Sequence, residues 1–198
     1  MKIDSLCVFC GSSPGRGDTY LAAAKQVGQR LAEQNVRLVY GGGSVGLMGC
    51  VADACLEAGG EVIGIITSAL LDLEVGHTGC TELEVVETML ERKMRMAELS
   101  DGFISLPGGI GTLDEMFEMM TWSQLDIHQK PSGLLNIDGY YDDLRSFLKR
   151  VVDDRFLLQE HSEMLLLDDD FDQLLEKLRA WEPRPVEKWV DRHTQVEP

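Results

Sequence analysis

From Leu106 to Glu115 the chain reads Leu-Pro-Gly-Gly-Ile-Gly-Thr-Leu-Asp-Glu. This run joins a strand-like segment to a helical one through Gly108, Gly109 and Gly111 and ends in two carboxylates. Such a turn suits phosphate: without Cβ atoms a ligand can approach the backbone amides, and the unpaired N–H groups of a helix start favour an anion. The glycines also suit backbone with φ > 0, and Thr112 suits a helix cap. Glu115 then falls one turn into the helix. A carboxylate has no use in holding phosphate; its charge suits a developing cation or a water to be activated. The same residues also fit a tight strand-to-helix turn whose acidic side chains are drawn by the helix dipole.

An anionic ligand needs positive charge nearby, and Glu91-Arg92-Lys93-Met94-Arg95 supplies it. Arg92 offers a planar fork for phosphate, hydroxyl or carboxylate, and Lys93 a point charge. The alternative is a solvated helix face, with Glu91 and Arg95 paired at i,i+4. Within the helix after the glycine turn, Glu118 lies one turn beyond Glu115 and shares its face, whereas Asp114 is rotated by about 100° from it. Met116, Phe117, Met119 and Met120 read as core.

Strand-like runs at Leu6–Cys10, Val36–Tyr40, Val62–Ile66, Leu83–Val86, Phe103–Leu106, Gly133–Ile137 and Met164–Leu167 position these residues. Helical periodicity lies between most of them. The clearest helix follows Asp18 and ends at Gln34-Asn35, with Leu21, Ala24, Val27 and Leu31 on one face. Others are expected over Leu47–Ala58, Thr88–Ser100, Thr112–Gln124, Tyr141–Asp154 and Asp170–Trp181. The alternation predicts an α/β fold: a Rossmann-like, doubly wound parallel sheet of about seven strands with helices on both faces. Residues 1–181 read as a single nucleotide-binding catalytic domain and 182–198 as a polar tail, pinned by Trp189.

In such a sheet ligands bind outside the carboxyl ends of the strands, where strand order reverses. Glycine turns mark that edge three times: Gly11 to Gly15, Gly41 to Gly49, and the Pro107 turn. The Gly-x-Gly-x-x-Gly spacing is missing after the first strand, and Tyr40-Gly41 stands where a dinucleotide binder carries an acidic residue. No Gly-Lys-Ser/Thr closes a turn, which disfavours a P-loop NTPase.

A net charge of −16 argues against a nucleic-acid or anionic-membrane surface. No apolar run approaches the roughly 18 residues of a membrane span. Met1-Lys2-Ile3-Asp4 leads directly into a strand, so the cytoplasm is the expected compartment. Five cysteines, an odd number, argue against a disulfide framework, and Cys7 and Cys10 sit in a strand where residues three apart face opposite ways. Asp168-Asp169-Asp170 reads as a capping, solvated cluster. No metal and no cofactor are expected.

Several segments together resemble the Lonely Guy (LOG) family of cytokinin riboside 5′-monophosphate phosphoribohydrolases, long labelled "lysine decarboxylase". They are Cys7 to Ser13, Gly41 to Gly49, Met89-Leu90-Glu91-Arg92-Lys93 and Pro107 to Glu115, extended by Thr121 to Leu125 and by Lys130-Pro131 through Asn136 to Tyr141. The resemblance covers roughly residues 5 to 180. It implies hydrolysis of the N-glycosidic bond of an adenine-type nucleoside 5′-monophosphate, giving free base and ribose 5-phosphate. Arg92 and Glu115 carry over as the catalytic pair. Substrate contacts carry over to Glu74, Lys93, Gly108, Gly109, Ile110, Gly111, Thr112, Leu113, Asp114 and Thr121, and Ser12 and Gly42 of the other two glycine turns are expected to join them. A homodimer is implied as well. Asp114 stands where many members carry Glu, and Leu90 where His is frequent. No residue pattern supports lysine decarboxylation.

Breaking a ribosyl bond needs stabilisation of charge at the anomeric carbon, a proton for the departing base and a water on the other face. Glu115 suits the cation and the water, the 108–112 amides the phosphate, and Arg92 the ribose hydroxyls or the orientation of Glu115. The competing expectation is a non-catalytic nucleotide-binding or carrier protein, because the same turns hold phosphate equally well.

Overall fold

The computed structural model of the chain describes residues 1–74 and 76–183; of Asp72 and Glu74 it describes the backbone alone. Seven strands, β1 (Ser5–Phe9), β2 (Arg37–Tyr40), β3 (Val62–Thr67), β4 (Glu82–Val86), β5 (Gly102–Ser105), β6 (Ser132–Leu135) and β7 (Leu165–Asp168), form one sheet in the order β4-β3-β2-β1-β5-β6-β7. Every pairing is parallel. The chain therefore walks outward from β1 to β4, then returns to the other side of β1 with β5. The reversal lies between β1 and β5, where Phe9 stands level with Ser105.

The helices are α1 (Thr19–Glu33), α2 (Gly46–Glu57), α3 (Ser68–Glu74), α4 (Met89–Glu98), α5 (Ile110–Gln124), α6 (Asp142–Asp153), α7 (Gln159–Ser162) and α8 (Phe171–Ala180). Successive side chains of a strand point to opposite faces, and the core divides accordingly. Leu6, Val8, Cys10, Leu38, Tyr40, Ile104 and Leu106 pack with α1, α2 and α8, burying Val27, Leu31, Val51, Leu174 and Leu178. Cys7, Phe9, Val39, Ile63, Ile65 and Phe103 pack on the other face with Met96 and Ala97 of α4 and Met119 of α5. Cys7 and Cys10 thus belong to opposite layers, and all five thiols are free. Burial of the apolar sides of these strands and helices holds the layers together, at about 25 cal/mol for each Å² removed from water.

All seven predicted strands are present, and the five helices expected after the first fall within two residues of their bounds. Two further short helices, α3 and α7, carry no sequence signal; seven and four residues are too few for a 3.6-residue period to show. Among the acidic triplet, Asp170 caps α8 by accepting from Gln173 N–H, and Asp168 pairs with Lys177 at 2.7 Å. Among the described residues no helix is long and apolar enough to cross a membrane and no group of His, Cys, Asp and Glu could hold a metal. Residues 184–198, Trp189 included, lie outside the described part.

Candidate active site

The cleft opens at the β1/β5 reversal, as the doubly wound rule requires. Its volume is about 320 Å³, and its walls include Cys10 and Ser12 after β1, Arg92 of α4, and Gly109, Thr112 and Glu115 at the start of α5. A second hollow of about 310 Å³ shares Gly11, Ser12 and Gly109 with it and continues past Pro107 and Gly108 to Tyr20 and Tyr140. A larger depression, about 700 Å³, lies beside β7 and α6. Its lining of Leu148, Val152 and Leu167 with surface charges such as Lys149 and Asp153 offers no glycine turn and no buried charge pair, so chemistry rather than size selects the cleft.

Arg92 is placed by the start of its helix. Thr88 Oγ1 accepts from Glu91 N–H at 3.1 Å while Glu91 Oε2 accepts from Thr88 N–H at 3.0 Å, a reciprocal cap that fixes where α4 begins. One residue later the Arg92 side chain turns inward and is only 6% exposed. Its Nε donates to Ile65 O within β3 (2.9 Å), its Nη2 to Gly41 O after β2 (3.1 Å), and its Nη1 to Glu115 Oε1 (3.1 Å). Two backbone carbonyls from neighbouring strands thus aim the guanidinium at the carboxylate. Glu115 itself is 9% exposed. A buried charge pair is tolerable only where further hydrogen bonds support it, and here the carbonyls of Ile65 and Gly41 take two of the remaining donors.

The expected Glu91–Arg95 pair does not form. Glu91 is engaged in the cap, and Arg95 instead meets Glu84 of β4 at 2.9 Å and Glu98 at 3.1 Å. Backbone donors at a helix start outcompete an exposed i,i+4 ion pair.

The glycine turn differs from expectation in two ways. Helix α5 begins at Ile110 with Gly109 as its N-cap, so Thr112 is the third helical residue and not the cap. None of Gly108, Gly109 and Gly111 has positive φ. What they provide is missing volume. A Cβ on Gly108 would lie 2.1 Å from Thr112 Oγ1 and 2.9 Å from Gly11 N, whereas at Gly109 and Gly111 it would meet open space along the cleft. The first N–H groups of α5 have no helical acceptor, and they carry the positive end of its dipole at the cleft wall.

The remaining expected residues spread around this centre. Ser12, Ile110 and Asp114 line the cleft. Gly42 has φ +75° and is packed against Ile66 and Leu83, one layer behind the wall. Lys93 lies between Asp114 (3.2 Å) and Glu118 (2.9 Å), so its charge bridges α4 to α5. Leu113 packs on the opposite side of α5, against the buried Met116, Leu134 and Tyr141. Thr121 is exposed and its hydroxyl donates to Phe117 O of the preceding turn at 2.7 Å. Glu74 ends α3, and its side chain lies outside the described residues. Met116, Met119 and Met120 are buried as core.

The cleft is also lined by Cys10, Met48, Leu70 and Met89, to which the sequence reading assigns no site role. Burial, reinforced by the Glu115 charge, pushes the Cys10 thiol far above its usual range, so it stays protonated and unreactive. The short α3 carrying Leu70 leaves no periodic trace, and Met48 and Met89 stand inside the quoted motifs with no role assigned to them.

A family model described as "Possible lysine decarboxylase" matches residues 48–178. A probable cytokinin riboside 5′-monophosphate phosphoribohydrolase of Oryza sativa subsp. japonica is 47% identical over 179 residues, covering 90% of this chain and 72% of the relative. The chain belongs to this LOG family. A cytokinin riboside 5′-monophosphate phosphoribohydrolase of Arabidopsis thaliana is likewise 47% identical over 182 residues, covering 92% of this chain and 80% of its own length. Among solved structures, the molybdenum cofactor binding protein of Rippkaea orientalis superimposes with a TM-score of 0.68 at 23% identity, covering 91% of this chain and 98% of that one. The molybdenum cofactor carrier protein of Chlamydomonas reinhardtii gives 0.68 at 18% identity, over 91% and 100%. At those identities the likeness is one of fold, and the LOG relatives carry the family.

Proposed function

We propose that the protein hydrolyses the N-glycosidic bond of cytokinin riboside 5′-monophosphates, AMP or both, releasing the free adenine-type base and ribose 5-phosphate. The observation that carries this reading is the buried Glu115 carboxylate, held by Arg92 at 3.1 Å beside the start of α5. A protein that only binds an anion gains nothing from a carboxylate there; a reaction that develops positive charge at a sugar carbon does.

In this reading the 5′-phosphate sits on the N–H groups of Gly109 to Thr112, with Ser12 opposite, which brings the anomeric carbon toward Glu115. As the C1′–N9 bond breaks, its electron pair leaves with the base and positive charge grows on the ribose ring, where Glu115 opposes it. A water on the free face adds to C1′ and passes a proton to Glu115, which returns it to solvent, while the departing base takes up a proton from solvent water. Arg92 orients Glu115, since two of its donor positions are already taken by backbone carbonyls. Phosphate binding remote from the reacting carbon supplies the orientation, so a nucleoside without phosphate is a poor substrate.

Residues 1–181 form the catalytic domain in this proposal, in a homodimer of the cytoplasm. The exposed apolar side chains of Leu90 and Met94 on α4 support an oligomer, and free thiols suit a reducing compartment. Sedimentation of the purified protein as a monomer at micromolar concentration would remove the dimer.

The deciding experiment incubates the protein with AMP and, separately, with N6-isopentenyl-AMP, following base and ribose 5-phosphate by chromatography. Release from either, abolished in Glu115→Gln, supports the hydrolase, and the ratio of the two rates sets its preference. Binding without release moves the reading to a carrier.

A further inference from the structure

We propose that the Tyr140 hydroxyl is a positioning group for substrate binding: it fixes the direction of the Gly108–Gly109 peptide and thereby aims the Gly109 N–H at the bound phosphate. The inference deepens the reading of this turn as a phosphate anchor and rests on it.

Four consecutive carbonyls of the turn are each held by a donor. Leu106 O accepts from the Tyr141 hydroxyl at 2.6 Å, Pro107 O from Gly11 N–H at 3.1 Å, Gly108 O from the Tyr140 hydroxyl at 2.6 Å, and Gly109 O from Leu113 N–H at 3.2 Å. A trans peptide is planar, and its C=O and the following N–H point in opposite directions. Drawing Gly108 O toward Tyr140 therefore turns Gly109 N–H away from the tyrosine, to join the free N–H groups at the start of α5.

Without that bond the peptide lies between two glycines, the residues that resist rotation of a peptide plane least. A flipped plane would present a carbonyl oxygen where an anion must sit. Tyr140 removes that alternative. The other donors to the turn do not, because each holds a different plane.

The tyrosine is itself well supported. After β6 the chain turns through Asp138 (φ 52°) and Gly139 (φ 70°), both left-handed. Asn136 Oδ1 accepts from Tyr141 N–H at 2.7 Å while its Nδ2 donates to Asp142 Oδ1 at 2.9 Å, which locks the turn to the start of α6. The Tyr140 ring stands edge-on to Tyr141 (5.0 Å) and Tyr20 (5.8 Å). It is 42% exposed and lines the hollow that adjoins the cleft, so loss of the hydroxyl leaves the core untouched.

Tyr141 provides the contrast. Its hydroxyl is buried and holds Leu106 O, but the peptide it holds ends in Pro107, which has no N–H to aim. One tyrosine orients a donor and its neighbour only steadies the chain.

Tyr140→Phe and Tyr141→Phe separate the two roles. Three readouts are needed: calorimetric binding of ribose 5-phosphate, KM and kcat for AMP and N6-isopentenyl-AMP, and the thermal unfolding midpoint. For Tyr140→Phe, ribose 5-phosphate binding weakens and nucleotide KM rises by about three- to tenfold, the range of one hydrogen bond. Its kcat stays within about twofold and its melting midpoint is unchanged. For Tyr141→Phe the midpoint falls, because a buried carbonyl loses its donor, while binding and KM stay within about twofold. Wild-type affinity in Tyr140→Phe overturns the proposal, and so does an equal loss of affinity in both variants. A wild-type protein that binds ribose 5-phosphate but releases no base refutes the hydrolase, and the binding arm still decides the role of Tyr140. Failure of the wild type to bind ribose 5-phosphate overturns both.

Discussion

A Cβ on Gly41 would stand 1.9 Å from Nη2 of Arg92, the same nitrogen that donates to Gly41 O. Gly41 is therefore the seat of the arginine: its carbonyl receives the guanidinium and its missing side chain makes the room. Gly41→Ala must push Arg92 off that carbonyl and away from Glu115. The expected result is a folded protein whose kcat/KM falls by at least ~10-fold, because a displacement of about 1 Å near the reacting atoms is costly. Circular dichroism checks the fold and steady-state kinetics the loss.

Glu115, Asp114 and Glu118 are three carboxylates on one helix with different surroundings. Glu115 is buried against Arg92, whereas Asp114 and Glu118 share Lys93. Glu115→Gln keeps the shape, removes the charge and is expected to lower kcat by at least ~10²-fold. Asp114→Asn and Glu118→Gln are expected to lower it by less than about tenfold, since Lys93 retains one partner in each. A single-turnover assay ranks the three. Asp114→Asn falling as far as Glu115→Gln would transfer the chemistry to the wrong carboxylate.

Much of the architecture was legible because buried parallel strands read as short apolar runs bounded by glycine. The location of the cleft followed from the strand ends alone. What was not legible depends on groups without a sequence signature. Ile65 O and Gly41 O hold Arg92, and any residue has a carbonyl. Lys93 stands beside Arg92 in sequence, yet the adjacent residue on a helix points about 100° away, and no spacing announces its pairing with Asp114 and Glu118 of α5. Glycine composition predicted left-handed backbone at the phosphate turn, whereas Gly108 is needed for contact with Thr112 and Gly11. The same residue type answers both needs, and only the fold separates them.

His128 gives the fold an acid sensitivity. Burial, with the Lys130 charge beside it, lowers its pKa from 6.5 to about 4. The ring lies against Phe103 and Trp122. The unfolded chain binds a proton near pH 6.5 that the folded one refuses until about pH 4, so stability rises with pH across this window. It is present in full above pH 6.5 and is lost as pH falls toward 4. In His128→Phe this contribution disappears, and the variant should lose about 1–3 kcal/mol less than the wild type over the interval. Urea unfolding at a series of pH values measures the difference. Parallel slopes for the two proteins would show that His128 is not the cause.

Gly111 allows the binding role of the turn to be tested apart from stability. It is the second residue of α5, lines the cleft, and a Cβ built on it meets nothing within 4 Å beyond its own turn of helix. Alanine there costs no internal contact, and alanine is a better helix residue than glycine by up to about 1 kcal/mol. Gly111→Ala should therefore melt at or above the wild-type temperature. Its new methyl group, however, stands at the cleft wall where the phosphate is placed, so KM for the nucleotide should rise by at least ~10-fold. Stability and affinity are expected to move in opposite directions, which a variant that merely disrupts folding does not do. Scanning calorimetry and steady-state kinetics on the same preparation give both numbers. A Gly111→Ala protein with unchanged KM would mean that the phosphate does not approach the start of α5, and the anchor would have to be sought at Ser12 and the turn after β1.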